Sequence, residues 1–176
     1  KPVSELKLLR DAVAMLQRSR GESVQDSDFR DTSSSTRGGE KFARKYPAKI
    51  LIVEDVKMNQ KIASMVLEKM GYEQIEFANN GAKGVERVAQ GDIDLVFMDL
   101  QMPVMGGLEA TETIRRNFNL PRQPIIIAMT GHALAGVRDS CIAEGMNGFI
   151  AKPITVDDVR TSIADAMDAA SSRTAC

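Results

Sequence analysis

The sequence predicts a single doubly wound α/β domain over residues 47–170, in which five parallel strands carry helices on both faces of the sheet. The first observation is a set of five short apolar runs after residue 48. Runs of this kind are typical of strands that are buried on both faces. The second observation is that the runs alternate with amphipathic stretches at a spacing of about 20–30 residues, which indicates parallel βαβ crossovers.

Each element of this domain can be assigned from its local pattern. The predicted strands are KILIV (49–53), QIEFA (74–78), DLVFM (94–98), PIIIAM (124–129) and GFIA (148–151). The predicted helices cover residues 58–70, 81–89, 108–117, 133–144 and 156–167. The last helix carries an apolar face, and Thr155 with Asp158 three residues later is typical of a capping box at its start.

The segments outside the domain have a different composition. Residues 1–18 have apolar positions spaced three and four apart, which predicts an amphipathic helix. This helix either packs on its own domain or serves as a linker or dimerisation helix. Residues 19–46 are rich in Ser, Asp, Arg and Gly and are predicted to be a flexible linker, and residues 171–176 form a tail. Because the chain starts at Lys1 without a methionine, we expect it to be part of a longer protein.

Composition excludes several classes of function. The 176 residues include 23 basic and 24 acidic side chains, a balance that gives no support for a basic nucleic-acid surface. No apolar run approaches the roughly 18 residues that a membrane-spanning helix needs. Cys141 and Cys176 are read as unpaired thiols of a reducing compartment. We therefore expect a cytoplasmic domain, whose parent protein can itself be tethered to a membrane.

Polar side chains follow four of the five predicted strands, at the point where each strand ends. Glu54 and Asp55 follow the first strand, Asp99 the third, Thr130 the fourth and Lys152 the fifth. Ligands of such sheets bind outside the carboxyl ends of the strands, so we expect these groups to converge. The alternatives for single residues are ordinary: Thr130 would only cap a helix, and Lys152 would be a solvated surface lysine.

Three carboxylates in one cleft indicate a cation site. Two unit charges about 4 Å apart repel by roughly 4 kcal/mol at an effective dielectric near 20, and hard oxygen ligands suit Mg²⁺ or Mn²⁺. Asp99 would then be a nucleophile that forms an aspartyl phosphate. Lys152 and the Thr130 hydroxyl would stabilise charge on the transferring group.

The same residues resemble the motif of a known family. The pair Glu54–Asp55 after ILIV, Asp99 in MDLQMPVMGG, Thr130, and Lys152 followed by Pro153 are similar to the receiver domains of two-component response regulators. The spacings agree, with 44 residues from Asp55 to Asp99, 31 to Thr130 and 22 more to Lys152. The segments MDLQMPVMGGLEAT and NQKIA look most like the corresponding segments of receivers fused to hybrid histidine kinases. The resemblance implies a flavodoxin-like sheet with strand order 2-1-3-4-5.

The resemblance implies that the chain functions in a phosphorelay. Asp99 would accept a phosphoryl group from a phosphohistidine, with Asp55 and Asp99 binding Mg²⁺ directly. The backbone carbonyl of Gln101 would be a further metal ligand, and Glu54 would act mainly through water. Thr130 would turn inward on phosphorylation, coupled to Phe149. The chain would be a phosphoacceptor with phosphotransfer and autodephosphorylation chemistry of its own.

The partner implied by the resemblance is a histidine kinase or a histidine-containing phosphotransfer protein. Apolar groups at the mouth of the site would form its docking patch; these are Val56, Met58, Ile62, Met105, Pro153 and Ile154. Alternatively, Met58 and Ile62 are core residues of the first helix. Three positions depart from the family pattern, namely Val56 in place of Asn, Gly106 in place of Asp, and Phe149 in place of Tyr.

Other classes of function compete with this one. A Mg²⁺-dependent phosphohydrolase that also uses an aspartyl nucleophile is the main alternative. Residues 92–96 fit the DxDx[TV] signature of one such superfamily. That signature needs its aspartates after the strand, and here they precede the apolar run, so we interpret the fit as a coincidence. A nucleotide- or flavin-binding domain would want a glycine-rich first turn, which EDVKMN lacks. A degenerate receiver that acts only as a docking module is disfavoured by the complete set of five polar groups.

Overall fold

The five apolar runs form five parallel strands in the computed structural model of the chain, which describes residues 42–117, 119–131 and 136–174. The strands are β1 (Ile50–Val53), β2 (Ile75–Ala78), β3 (Leu95–Asp99), β4 (Ile125–Thr130) and β5 (Gly148–Ala151). Their order in the sheet is β2-β1-β3-β4-β5. The predicted fold class and strand order are therefore confirmed.

Five helices connect and follow the strands. They are α1 (Lys57–Lys69), α2 (Gly81–Val88), α3 (Gly107–Arg115), α4 (Val137–Ala143) and α5 (Val156–Thr174). Thr155 caps the start of α5, since the Asp158 amide donates to Thr155 Oγ1 over 3.2 Å, which is one half of the predicted capping box. The Asp158 carboxylate accepts from the Thr155 hydroxyl over 2.7 Å. The start predicted for α4, at residue 133, lies outside the described residues.

Alternation along the strands fills a core on each face of the sheet. Ile50 and Ile52 of β1 point to one core, where helices α1 and α5 pack against them. Leu51 and Val53 point to the opposite core, which includes residues of α2, α3 and α4. All four of these side chains are fully buried. Because both faces are covered, a central strand must be apolar throughout, which explains the uninterrupted runs in the sequence.

The fold includes residues on the N-terminal side of the predicted boundary at 47. Residues 42–45 form a helical turn, and the Phe42 ring lies 5.1 Å from the Tyr46 ring, centroid to centroid. The Tyr72 hydroxyl donates to the Tyr46 carbonyl over 2.9 Å, and the Tyr46 hydroxyl donates to Asp168 over 3.1 Å. The last part of the predicted linker thus packs on the domain.

At the other end, α5 continues to Thr174, past the predicted domain end at 170. The predicted helix over 1–18 and residues 19–41 of the predicted linker lie outside the described residues, as does Cys176. Within the described part of the chain, no helix combines the length and the apolar character that crossing a membrane requires.

Candidate functional site

The register of the sheet brings the polar strand ends together. Val53 of β1 lies beside Met98 of β3, so the residues that follow them, Glu54 and Asp99, reach the same edge. In the next pair of strands, Asp99 lies beside Met129. Thr130, the last residue of β4, therefore reaches this edge too.

Lys152 arrives there through β5. Thr130 pairs with Ala151, and the Lys152 amide donates to the Thr130 carbonyl over 2.7 Å. The Lys152–Pro153 peptide bond is cis. The predicted convergence of Glu54, Asp99, Thr130 and Lys152 at one edge is thus observed in the structure.

The three carboxylates of Glu54, Asp55 and Asp99 form a compact acidic cluster. Each offers one oxygen, and these oxygens all lie within 4.8 Å of one another. Glu54 is 1% exposed and Asp99 6%, whereas Asp55 is exposed to solvent. Burial of two of the three carboxylates reduces solvent screening and makes their mutual repulsion costly. The cluster therefore needs positive charge.

Lys152 supplies part of that charge. Its Nζ lies 2.5 Å from Glu54 Oε2 and 2.6 Å from Asp99 Oδ2. Burial of the ammonium by itself lowers the pKa of Lys152, but the hydrogen bonds to Asp99 and Glu54 outweigh burial, so the pKa lies above its ordinary value. Lys152 is thus a cation at neutral pH. Three carboxylates and one ammonium leave two negative charges, which suits a divalent cation with oxygen ligands.

Glu54 is held by groups at the start of α1. Its Oε1 accepts a hydrogen bond from Asn59 Nδ2 over 2.9 Å and one from the Val56 amide over 3.3 Å. Its backbone carbonyl accepts from Gln60 Nε2 over 2.6 Å. Sequence reasoning missed Asn59 as a member of the site. The signal that could have found it is an amide side chain one turn beyond an acidic pair, in the stretch NQKIA.

The loop after Asp99 is shaped by close backbone contacts. The Gln101 amide donates to Asp99 Oδ1 over 3.2 Å, and the Gly107 amide donates to the Leu100 carbonyl over 3.1 Å. A Cβ at Gly107 would lie 2.2 Å from the Asp99 carbonyl oxygen, so only glycine fits. Gly107 therefore fixes the shape of this loop. The Gln101 backbone is therefore beside the site, while the role of its carbonyl as a ligand stays a prediction.

Thr130 and Phe149 lie on the same face of the sheet. Ala128 pairs with Phe149 and Thr130 pairs with Ala151, and alternate residues of a strand share a face. Thr130 is buried, and Phe149 is partly buried against the core that contains Cys141 of α4. This placement is compatible with coupling between the two residues, which stays a prediction.

The predicted docking residues lie at the surface or partly exposed. Met58 is 55% exposed and Ile62 is 38% exposed, so the alternative that they are core residues of α1 is wrong. Met65, which was not predicted, extends the same stripe by one turn. A cavity of about 280 Å³ lies beside Lys152. Its walls are Glu54, Asn59, Ile62, Met129, Lys152, Pro153 and Ile154.

The aspartates of the DxDx[TV] pattern lie at the other end of β3. The Asp94 carboxylate accepts from the Lys49 amide over 2.8 Å and pairs with Arg122. Asp92 pairs with Lys49 over 2.5 Å and with Arg87 over 2.5 Å. Both aspartates precede the strand whose far tip carries Asp99. The pattern is therefore a structural ion-pair site, and it gives no support to the phosphohydrolase alternative.

Comparison with known sequences supports one family. The family model described as the response regulator receiver domain matches residues 50–164. The chain is similar to the hybrid signal transduction histidine kinase H of Dictyostelium discoideum, with 38% identity over 116 residues. It is also similar to histidine kinase 5 of Arabidopsis thaliana, with 36% identity over 138 residues. Each match covers 64% of this chain but only 8% and 15%, respectively, of the relative's own length.

Solved structures agree with this assignment. The receiver domain of a sensor histidine kinase from Pseudomonas aeruginosa, with a magnesium ion coordinated in its active-site cleft, superposes with a TM-score of 0.61 at 32% identity. That comparison covers 69% of this chain and 98% of the other. A Saccharomyces cerevisiae response-regulator receiver domain, crystallised with a histidine phosphotransfer protein, gives a TM-score of 0.58 at 30% identity. It covers 65% of this chain and 85% of the other.

Proposed function

Because this chain belongs to the response regulator receiver domain family of two-component phosphorelay systems, we propose that Asp99 is its phosphoacceptor and that Mg²⁺ is its metal. The observation that carries this proposal is the position of Lys152 Nζ, 2.6 Å from Asp99 Oδ2 and 2.5 Å from Glu54 Oε2. The ammonium and the nucleophile are already side by side. A cation-binding acidic cluster lies next to them.

In the proposed reaction a carboxylate oxygen of Asp99 attacks the phosphorus of a phosphohistidine. A bond between this oxygen and phosphorus forms, and the bond between phosphorus and the imidazole nitrogen breaks, with its electron pair going to the imidazole. Lys152 stabilises negative charge on the phosphoryl oxygens, and the Thr130 hydroxyl donates a hydrogen bond to one of them. The Gln101 amide, 3.2 Å from Asp99 Oδ1, helps to orient the nucleophile.

The donor set fits Mg²⁺. Asp55 and Asp99 would hold the ion directly, together with the Gln101 carbonyl, while Glu54 would act mainly through water. When bound, the ion supplies positive charge that offsets the charge of the transferring phosphoryl group. Its hard oxygen ligands would accept Mn²⁺ as well. The magnesium-bound Pseudomonas receiver supports this proposal by analogy.

Phosphorylation of Asp99 would switch the domain through Thr130 and Phe149. Thr130 would move toward the phosphoryl group and leave space that the Phe149 ring could occupy. The shared face of the two residues and the partial burial of Phe149 support this proposal. Because Phe149 has no hydroxyl, the change would act through packing alone.

The proposed partner is a histidine kinase or a histidine phosphotransfer protein. Apolar residues at the start of α1 and in the loops after β3 and β5 would form its docking surface, with Ile62 and Ile154 on the wall of the cavity beside Lys152. The full set is Val56, Met58, Ile62, Met105, Pro153 and Ile154. The yeast complex of a receiver domain with a histidine phosphotransfer protein supports this choice. Dimerisation through residues 1–18 stays a prediction.

We further propose that this receiver is part of a hybrid histidine kinase that signals in the cytoplasm. The similarity to hybrid kinases supports the first part, and the unpaired buried thiol of Cys141 is compatible with a reducing compartment. The full-length coding sequence tests the first part. A kinase domain ahead of Lys1 is expected, and a different neighbouring domain would contradict it.

The phosphoacceptor is tested by labelling. The protein is incubated with Mg²⁺ and radiolabelled acetyl phosphate, or with a phosphorylated histidine phosphotransfer protein. We expect an acid-stable, base-labile label that Asp99→Asn abolishes. Asp139→Asn, at an exposed aspartate of α4, is the matched control and should label like the wild type. Equal labelling of Asp99→Asn and the wild type would refute the assignment.

A further inference from the structure

We propose that Asn59 is a positioning residue of this site, which fixes the Glu54 carboxylate and thereby raises the affinity for a divalent cation. The inference rests on the proposed function, since it concerns the same cation cluster. It assigns a role in cation binding to a side chain that belongs to helix α1 rather than to a strand tip.

The two carboxylate oxygens of Glu54 contact different groups. Oε1 accepts hydrogen bonds from Asn59 Nδ2 at 2.9 Å and from the Val56 amide at 3.3 Å. Oε2 faces Lys152 Nζ at 2.5 Å. Asn59 thus provides the shorter of the two hydrogen bonds on Oε1. Without it, Oε1 would keep only the longer bond to Val56.

Burial makes this hydrogen bond consequential. The Glu54 side chain is 1% exposed, and a buried carboxylate that loses a hydrogen-bond donor is unfavourable. Loss of the Asn59 amide would let Glu54 turn to other orientations. Its Oε2 would then leave its position beside Lys152 Nζ, and the carboxylate would lose the orientation that it has in the acidic cluster.

The chemical nature of Asn59 fits this role better than a charged residue would. A neutral amide donates to Glu54 without adding a positive charge, so the cluster keeps the two excess negative charges that attract a divalent cation. Gln60 reinforces the arrangement through the backbone, since its Nε2 donates to the Glu54 carbonyl over 2.6 Å. Groups that orient ligands in this way typically change metal affinity by about 10–100-fold when they are removed.

The test measures Mg²⁺ binding by isothermal titration calorimetry, which is suitable because the chain has no tryptophan to report by fluorescence. The variants are Asn59→Leu, which keeps the number and branching of the side-chain heavy atoms, and Asn59→Ala, which cannot clash. Both residues favour helices more than asparagine does, so α1 should form, and circular dichroism checks this. We expect the Mg²⁺ dissociation constant to rise about tenfold in both variants.

Two comparisons separate positioning from a general effect on the fold. Asn79→Ala, at an exposed asparagine after β2, should bind Mg²⁺ like the wild type. In a Glu54→Ala background, Asn59→Leu should change the dissociation constant by less than about twofold, because no carboxylate is left to orient. The proposal is overturned if Asn59→Leu and Asn59→Ala bind Mg²⁺ like the wild type, or if Asn59→Leu weakens binding equally with and without Glu54.

Labelling at Asp99 distinguishes a failure of the role of Asn59 from a failure of the proposed function. At saturating Mg²⁺, Asn59→Leu should still be labelled at Asp99. If the wild type takes up no label but Asn59→Leu weakens Mg²⁺ binding only when Glu54 is present, the phosphoacceptor assignment fails and the role of Asn59 stands. If labelling depends on Asp99 but the effect of Asn59→Leu on Mg²⁺ binding does not depend on Glu54, the role of Asn59 fails alone.

Discussion

The ammonium of Lys152 and the carboxylate of Asp99, which lie 53 residues apart in sequence, form a hydrogen bond of 2.6 Å at the carboxyl edge of the sheet. The pair places the proposed nucleophile beside the charge that would stabilise the transferred group. Glu54 holds the same ammonium from its other side. Substitutions in this arrangement, and in the packing that maintains it, should therefore have distinct effects on metal binding, phosphorylation and stability.

Lys152→Met should retain Mg²⁺ binding, but its Asp99 should become phosphorylated slowly. Removal of the ammonium takes away a cation that competes electrostatically with Mg²⁺, so the metal affinity should be maintained or increased. Loss of one charge-stabilising donor should reduce the rate of labelling by acetyl phosphate by about 100-fold. Calorimetry and labelling kinetics measure the two effects. Normal labelling and a normal conformational response would remove Lys152 from the mechanism.

Thr130→Val should separate phosphorylation from switching. Valine keeps the volume of threonine but cannot donate to a phosphoryl oxygen, so Asp99 should still take up label while the Phe149 resonances lose their phosphorylation-dependent shift. Two-dimensional NMR of the labelled protein measures this response. Thr111→Val is a matched control, because Thr111 is also buried and its hydroxyl donates to the Gly107 carbonyl within α3. A wild-type shift in Thr130→Val would contradict the switch.

Gly107→Ala should destabilise the domain and impair the site together. Its new Cβ would lie 2.2 Å from the Asp99 carbonyl oxygen, a backbone atom that cannot move aside without shifting the strand tip. Overpacking of this kind costs about 1–3 kcal/mol or more in free energy of unfolding. Gly131→Ala is the control, since a Cβ added there would have no atom of the described residues within 4 Å apart from its chain neighbours. Urea unfolding and labelling rates measure the two consequences, and equal effects of both substitutions would contradict the steric argument.

Glu76→Gln should reduce stability in a pH-dependent way. Ion pairs with Arg87 and Lys49 lower the pKa of Glu76 to about 2 from its ordinary value of 4.5. A lowered pKa means that the stabilisation is present above about pH 4.5 and is lost as the pH falls through about 2. Since Glu76 is partly exposed, solvent screening limits the effect to about 1 kcal/mol.

Urea unfolding between pH 2 and 7 measures this contribution. The difference between wild type and Glu76→Gln should be largest near neutral pH and should shrink toward pH 2. Glu73→Gln, at an exposed position before β2, is the control and should change stability little. A constant difference across the whole range would show that the ion pairs do not account for the effect.

Ile62→Asp should weaken transfer from a protein donor without altering the chemistry at Asp99. The side chain is 38% exposed on α1 beside the cavity that contains Lys152, so a charge there should be tolerated by the fold but disfavoured in an apolar interface. Transfer from a histidine phosphotransfer protein should slow at least tenfold. Labelling by acetyl phosphate should stay within about twofold of wild type. An equal loss with both donors would contradict a docking role.

Much of the fold was predictable because both faces of the sheet are covered. A strand buried on two sides must be apolar at every position, so runs such as ILIV and LVFM mark β1 and β3 directly. The same reasoning located Asp99, because a carboxylate that ends such a run must lie at the strand tip.

Other features depended on partners far away in the chain. The sequence already placed the aspartates of the DxDx[TV] pattern before their strand, but only the structure shows that Lys49, from ahead of β1, contacts both Asp92 and Asp94. Tyr46 looked like part of a polar linker. Its burial against Tyr72 and Asp168 becomes visible only when α5 is in place.

The sequence by itself determined the succession of strands and helices along the chain, the acidic and basic groups at the strand ends, and the chemistry that those groups can perform. Only the tertiary structure decided which group touches which. Lys152 reaches Glu54 across 98 residues of chain, and Asn59 binds one Glu54 oxygen while the other faces Lys152. The physical reason is that hydrogen bonds of about 3 Å depend on strand order, register and side-chain orientation, which local sequence patterns do not specify.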